Sequence, residues 1–204
     1  MHLLDQTIFG SAILCLLGML VIVKRVTTGS VLDKPKGRFL LQLVNIFNLF
    51  FLLIVNPVAA ILLIMRRLET LDPSHIAIQV PWILTLLEVV GLLLYAIGFF
   101  LMAWALIRLG HNYQLGGGTP RPGDKMVMDG PYRLVRHPMY TAALSISLGL
   151  ACAIQSWIFF CVFCAYLVLI LFLIPIEEEE LQKAYGSEYL TYQHKAGKLV
   201  PFIN

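Results

Sequence analysis

The feature that most constrains this chain is the stretch from Met139 to Ile176, in which no residue is charged. As one helix it would extend roughly 57 Å at 1.5 Å per residue. That is nearly twice the ~30 Å hydrocarbon core of a bilayer. A single crossing cannot use this length, so the stretch predicts a tight helical hairpin turning near Gln155-Ser156-Trp157.

Three more uncharged or nearly uncharged runs precede it. Residues 6–23 end at Lys24-Arg25, and residues 39–65 end at Arg66-Arg67. Residues 82–107 carry one charge, Glu88. Each is long enough to cross a bilayer as a helix. Asn56-Pro57 predicts a kink in the second, because proline removes a backbone donor and clashes with the preceding turn. The first run has no basic segment before it and no small-residue cleavage pattern after it, so it reads as a span, not a signal peptide. Of 204 residues, 59% are hydrophobic and 13% charged, too few charges for the surface of a soluble domain of this size.

The expected fold is therefore all-α and polytopic. About five transmembrane helices are expected, the last two forming the hairpin over residues 139–176. An amphipathic cytosolic helix is expected from Glu177 to about Ala196. Residues 1–107 form an N-terminal region of three spans, and residues 108–204 a polar segment, the hairpin and the tail.

Lys and Arg set the orientation, because cytoplasmic loops carry an excess of them. With five spans, three polar segments share one side. They hold Lys24, Arg25, Lys34, Lys36 and Arg38; Arg108, Arg121, Lys125, Arg133 and Arg136; and Lys183, Lys195 and Lys198. The other side holds Arg66 and Arg67. The three segments are expected in the cytoplasm, of a plasma membrane in a prokaryote or of the endoplasmic reticulum in a eukaryote.

Residues that could carry chemistry concentrate on that side. Gly130-Pro131-Tyr132 and Arg136-His137-Pro138-Met139-Tyr140 open the hairpin, and Glu177-Glu178-Glu179-Glu180 close it. The hairpin anchors both, so Arg136, His137 and Tyr140 are expected near Glu177 and Glu178. Read alone, Arg136-His137-Pro138 is equally a helix start, with proline in the first turn and an arginine reaching the interface. The acidic run alone is equally a solvated helix face. Placed at the end of an apolar helix, however, it puts four carboxylates against the negative end of the helix dipole, which calls for a cation or a donor-rich ligand. Glu88 either lines an acceptor path, since intramembrane acids are costly, or sits near the outer interface, or pairs with Asn45, Asn48 or Asn56. His111 and Tyr113 either orient an acceptor or are plain interfacial residues.

Other chemistries find no support. Cys15, Cys152, Cys161 and Cys164 lie in apolar runs, and Cys161 and Cys164 read as helix-interior thiols more readily than as a redox pair. No metal-ligand cluster, phosphate loop or dinucleotide fingerprint stands in the chain. The triple glycine 116–118 lacks the Lys-Ser/Thr of a phosphate loop and reads as a flexible connection. The net charge of +3 gives no reason to expect nucleic acid.

Residues 109–202 resemble the integral membrane methyltransferases of the isoprenylcysteine carboxyl methyltransferase family, which include phospholipid methyltransferase-like proteins. The resemblance rests on Leu109-Gly110-His111-Asn112-Tyr113, Asp124-Lys125-Met126-Val127, Gly130-Pro131-Tyr132 and Arg136-His137-Pro138-Met139-Tyr140. It continues in Glu177-Glu178-x-x-Leu181, Tyr185-Gly186-x-Glu188-Tyr189, Tyr192 and Leu199-Val200-Pro201-Phe202. The resemblance implies a cytosol-facing site for S-adenosylmethionine and a lipophilic acceptor arriving from the bilayer among membrane lipids. It implies cofactor contacts at Asp124, Lys125, Met126, Val127, Tyr132, His137, Pro138, Met139, Tyr140, Glu177 and Glu178. It gives Arg136, His137 and Tyr140 the reacting end, with no metal. Where carboxyl methyltransferases place an arginine four residues before the first Glu, this chain has Leu173. The isoprenylcysteine carboxylate thus loses its obvious partner, leaving room for a neutral, amine or thiol acceptor. Two rival readings are a sterol-type reductase using NADPH and a non-enzymatic membrane protein.

A C-terminal tag is expected to be cleaved or labelled from the cytosolic side; full protection there would reverse the orientation.

Overall fold

The computed structural model describes residues 5–29, 39–76, 78–112, 124–201 and 203, with all side chains in them but those of 40, 41, 45, 69 and 111. The described residues form helices joined by turns, without a named strand. Helix α1 spans Gln6–Thr28, capped by the Asp5 carboxylate at its N-terminus and by Gly29 in the left-handed conformation at its C-terminus. The second crossing is α2 (Phe39–Phe50), a π-helical turn over Phe51–Val55, and α3 (Asn56–Ile64). A short α4 (Leu68–Leu71) leads to the long α5 (Pro81–Leu109). The hairpin is α6 (Pro138–Ile154) and α7 (Trp157–Tyr185), and α8 (Ser187–Gln193) follows.

Four of these segments are long and apolar enough to span a bilayer, and α6, at 17 residues, is a shorter apolar helix. The irregularity expected at Pro57 takes a definite form. The π turn directly precedes the proline, widening the helix where its ring would meet the preceding carbonyls. The Asn56 amide donates to the Phe51 carbonyl across this turn at 2.9 Å.

The hairpin turns where expected. Gln155 adopts the left-handed conformation (φ 55°, ψ 54°), and Ser156 is extended. The 72–76 link clamps this turn from outside. Ile76 N–H donates to the Gln155 carbonyl at 2.7 Å, and Trp157 N–H to that of Ser74 at 3.1 Å. Asp72 in turn holds the Ser74 hydroxyl at 2.7 Å.

The C-terminal side departs from expectation. No separate helix starts at Glu177: α7 runs on through Tyr185, and a turn at Gly186 (φ +59°) sets off the brief α8. At about 1.5 Å per residue, the 29 residues of α7 exceed a bilayer core by about two and a half turns, so a crossing that begins at Trp157 leaves the last part of the helix beyond the apolar layer. The four glutamates lie within this projection, not against the last carbonyls. Lys183 neutralises the exposed part of the run, 2.6 Å from Glu179 and 3.8 Å from Glu180.

Lipid tails are as apolar as leucine, so helices in a bilayer associate through close packing and hydrogen bonds. Both are visible here. A stripe of small residues joins α5 to α6: a Cβ on Gly91 would lie 2.6 Å from the Ala153 nitrogen, and one on Gly98 2.7 Å from the Ala142 carbonyl oxygen. Tyr95 on the same face of α5 donates to Asn56 at 2.9 Å, and Tyr166 on α7 donates to Asn48 at 2.6 Å. Asn48 and Asn56, two of the alternatives for pairing with Glu88, each accept from a tyrosine. The Asn45 side chain lies outside the described residues.

Gly149→Val is expected to force α6 away from the α5 backbone at Gly91 and Tyr95 and to cost roughly 1–3 kcal/mol. Gly18→Ala, with open space around it, should be neutral or slightly stabilising. Thermal unfolding in detergent compares the two.

Candidate functional site

The polar end of the hairpin is built around Arg136. Its backbone N–H donates to the Gly197 carbonyl at 2.7 Å, and Gly197 N–H returns a bond to Leu134 at 3.1 Å, so the segment before α6 pairs with the chain after α8. Its side chain, 4% exposed, donates to the Glu178 carboxylate at 2.8 Å and to the Gln193 carbonyl at 2.9 Å. A further bond goes to the Ala196 carbonyl. One guanidinium thereby joins the hairpin mouth, α7 and the end of α8.

His137 sits between two carboxylates, with Nε2 3.2 Å from Glu178 and Nδ1 3.7 Å from Glu177. The Tyr140 hydroxyl donates to the same Glu177 oxygen, Oε2, at 2.8 Å, and its ring stacks on that of His137 with centroids 5.6 Å apart. The three residues expected at the reacting end and the first two glutamates form one connected cluster. Glu178 is held by Arg136, His137 and Gln193. It stands behind them, whereas Glu177 reaches the wall of a cavity.

That cavity, of about 290 Å³, has room for far more than an ordered water, whose share of liquid volume is about 30 Å³. Its polar side chains come from Asp124, Lys125, Tyr132, Arg136, His137, Tyr140, Glu177, Tyr185, Tyr189 and Tyr192, with Met126 and Val127 among them. Pro138 and Met139 complete the turn into α6. The opposite wall is apolar, drawn from Leu20 and Val21 of α1, Leu49, Leu52 and Leu53 of the second crossing, and Met102 and Leu106 of α5, with Lys24 at its edge. The 124–127 strip is tethered to the end of α5 by Asn112, which donates to the Lys125 carbonyl at 3.3 Å. Arg108 and Asp129, 3.0 Å apart, brace the same junction.

Tyr192 and Tyr189 of α8 close the wall. Tyr192 donates to the Tyr132 carbonyl at 2.6 Å. The Tyr189 hydroxyl is buried and has no hydrogen-bond partner among the described residues. Burial raises the phenol pKa of both, so both stay protonated at neutral pH. Neither tyrosine was singled out as a site residue, although both stand in the Tyr185-Gly186-x-Glu188-Tyr189 and Tyr192 pattern.

The remaining candidates scatter. Leu173 is fully buried among Val44, Leu144 and Tyr166, outside the cavity wall. Glu88 is buried seven residues before Tyr95 on the same face of α5, and it too is outside that wall. Asn112 lies in the wall, but the His111 side chain, Tyr113 and glycines 116–118 fall outside what is described. Among the described residues no cluster could hold a metal ion.

With this geometry in view, the sequence matches the phospholipid methyltransferase family over residues 86–188. The chain belongs to that family. Two curated relatives in Arabidopsis thaliana, the protein-S-isoprenylcysteine O-methyltransferases B and A, are each 31% identical over 126 residues, covering 56% of this chain. The alignment spans 59% of each relative's length. The solved structure of a eukaryotic intramembrane isoprenylcysteine carboxyl methyltransferase has the same fold, with a TM-score of 0.53 at 20% identity over 80% of this chain and 74% of that one. The family match runs from α5 through the hairpin to Glu188, so this phospholipid methyltransferase-family chain carries its cluster of Arg136, His137, Tyr140, Glu177 and Glu178 inside the shared region.

Replacing Glu178 by Ala leaves a buried guanidinium without its carboxylate, a change worth roughly 3–5 kcal/mol of stability. Glu179→Ala removes a half-exposed pair, worth at most about 1 kcal/mol. Equal effects in thermal unfolding would show that the pair does not brace the site.

Proposed function

We propose that this protein is an integral membrane methyltransferase that uses S-adenosylmethionine and acts on a lipophilic acceptor, with its site facing the cytoplasm. The observation that carries the reading is a single cavity with a polar wall of His137, Tyr140, Glu177 and the 124–127 strip facing an apolar wall from α1, the second crossing and α5. A ligand with a charged amino-acid end and a nucleoside end suits the first wall. An acyl or prenyl chain suits the second, whose helices present their other faces to lipid.

The donor set fits such a ligand. A carboxylate in the wall, Glu177, can accept hydrogen bonds from ribose hydroxyls or an ammonium group. Backbone groups of Asp124, Lys125, Met126 and Val127 can read a base edge. S-adenosylmethionine, when bound, supplies a methyl group on a positively charged sulfur, which passes to a nucleophile without a covalent protein intermediate. The work of the chain is then to hold the two partners in line and exclude water. Tyr140 holds the Glu177 carboxylate by a hydrogen bond to Oε2, with His137 Nδ1 3.7 Å from the same oxygen. Arg136 acts through Glu178 and the α8 carbonyls as a positioning residue.

The Arabidopsis relatives are named for an isoprenylcysteine acceptor. In this chain a carboxylate of that kind would find no cation at Leu173, which lies in the core. It would find Lys24 at the edge of the apolar wall instead. An amine or thiol acceptor needs no such partner.

S-adenosylhomocysteine is expected to raise the unfolding temperature of the detergent-purified protein, because a ligand that binds the folded state alone stabilises it. NADPH should not. Glu177→Gln should weaken that binding by about 10- to 100-fold, the loss expected for a hydrogen bond to a charged group. Stabilisation by NADPH alone would replace the reading with the reductase, and unchanged affinity in Glu177→Gln would remove that residue from the site.

A further inference from the structure

The chain after α8 folds back along the hairpin mouth as a strap. The Arg136 and His137 N–H groups donate to the Gly197 and Lys198 carbonyls at 2.7 and 3.2 Å. One turn into α6, the Thr141 hydroxyl donates to the Leu199 carbonyl at 2.7 Å. From Gly197 to Leu199 the strap thus runs from the polar mouth towards the apolar part of the hairpin. There it reverses: Ile203 N–H donates to the Val200 carbonyl at 3.2 Å, and Lys198 N–H to that of Ile203 at 2.9 Å.

Leu199 packs inward against the cluster of Val44, Leu144 and Tyr166. Val200, Pro201 and Ile203 are exposed, as are Leu134 on the paired segment and Phe39 at the start of the second crossing. Apolar side chains turned outward beside the first turn of a membrane helix lie where lipid begins. Three cations border them. Arg133 and Lys195 each stand two residues before the parallel pairing of Val135 with Gly197, and Lys198 directly follows it. Arg133 and Lys195 are exposed and Lys198 is half-buried. Among the described residues none of these three side chains has an ion-pair or hydrogen-bond partner. By contrast, Arg108 and Lys183 are committed to Asp129 and Glu179. Unpaired cations beside an exposed apolar turn match an anionic lipid surface, whose chains meet the turn and whose phosphates meet the charge. An acidic protein segment would answer the charge and leave the exposed Val200 and Ile203 without a role.

We propose that the 198–203 turn, together with Arg133, Lys195 and Lys198, is a binding surface for the headgroups of anionic phospholipids in the adjoining leaflet. This goes beyond methyl transfer and does not depend on it. The strap also holds the backbone N–H groups of Arg136 and His137, so lipid bound there steadies the polar side of the cavity.

Hydrogen exchange of the full-length protein in nanodiscs tests the assignment. Adding phosphatidylglycerol to phosphatidylcholine discs is expected to slow exchange over 134–141 and 195–203 by at least about fivefold, the factor for one cation held at an anionic surface. Exchange over 150–160, at the opposite end of the hairpin, should not change. The variant carrying Arg133→Gln, Lys195→Gln and Lys198→Gln should match the parent in phosphatidylcholine and lose the response to phosphatidylglycerol. The variant carrying Arg133→Lys, Lys195→Arg and Lys198→Arg should keep it. A parent that exchanges equally in both lipids overturns the proposal, as does a glutamine variant that still responds. Equal slowing over 150–160 would show a general effect on the fold and overturns it too. Slowing reproduced in phosphatidylcholine discs by glycerol phosphate or by a soluble polyglutamate peptide would assign the surface to a free anion or an acidic protein segment instead.

Discussion

A guanidinium withdrawn from water at the rim of a membrane domain must find a carboxylate and further acceptors, or the fold loses several kcal/mol. Arg136 meets that requirement with Glu178 and with two carbonyls at the end of α8. Because those partners lie 42 to 60 residues away, meeting it brings together segments that apolar packing alone would leave loose. The hairpin mouth is held against the projecting end of α7, and the short α8 is held across both. The polar wall of the cavity is the inner surface of that arrangement. His137 and Tyr140 follow Arg136 directly, so fixing the arginine also fixes where they meet Glu177.

The apolar layer imposes a second constraint, answered by different means. Inside a bilayer, burial supplies no net drive between helices, so contact rests on small residues and on hydrogen bonds that no water competes for. Gly91, Gly98 and Gly149 let α5 and α6 approach backbone to backbone. The Tyr95–Asn56 and Tyr166–Asn48 bonds tie the second crossing to α5 and to α7. These contacts set the spacing of the apolar wall that faces the polar cluster. The cavity is what remains between a water-side network fixed by ion pairs and a lipid-side bundle fixed by close packing.

Much of this was legible in the chain. Uncharged runs gave the crossings, because the length of a helix in lipid is set by bilayer thickness. The turn at Gln155-Ser156 was legible because a 38-residue uncharged stretch, Met139–Ile176, must fold back somewhere and polar residues mark the place. The meeting of His137 and Tyr140 with Glu177 followed from the hairpin geometry. The π turn before Pro57 was not legible, because proline announces a disturbance without saying how the helix absorbs it. Nor was the division between the two glutamates. Glu177 and Glu178 are identical in composition and adjacent in sequence, yet about 100° apart around a helix. One faces the cavity while the other faces Arg136.

Tyr189 shows where sequence reading stops for a physical reason. In the chain it is one of eight tyrosines, in a pattern that could as well mark core packing. Tyr192, one helical turn on, has the same residue type and similar burial, and its hydroxyl is committed to a backbone carbonyl at 2.6 Å. What separates the two is whether an acceptor lies within reach, a property of the folded surroundings that no local pattern encodes.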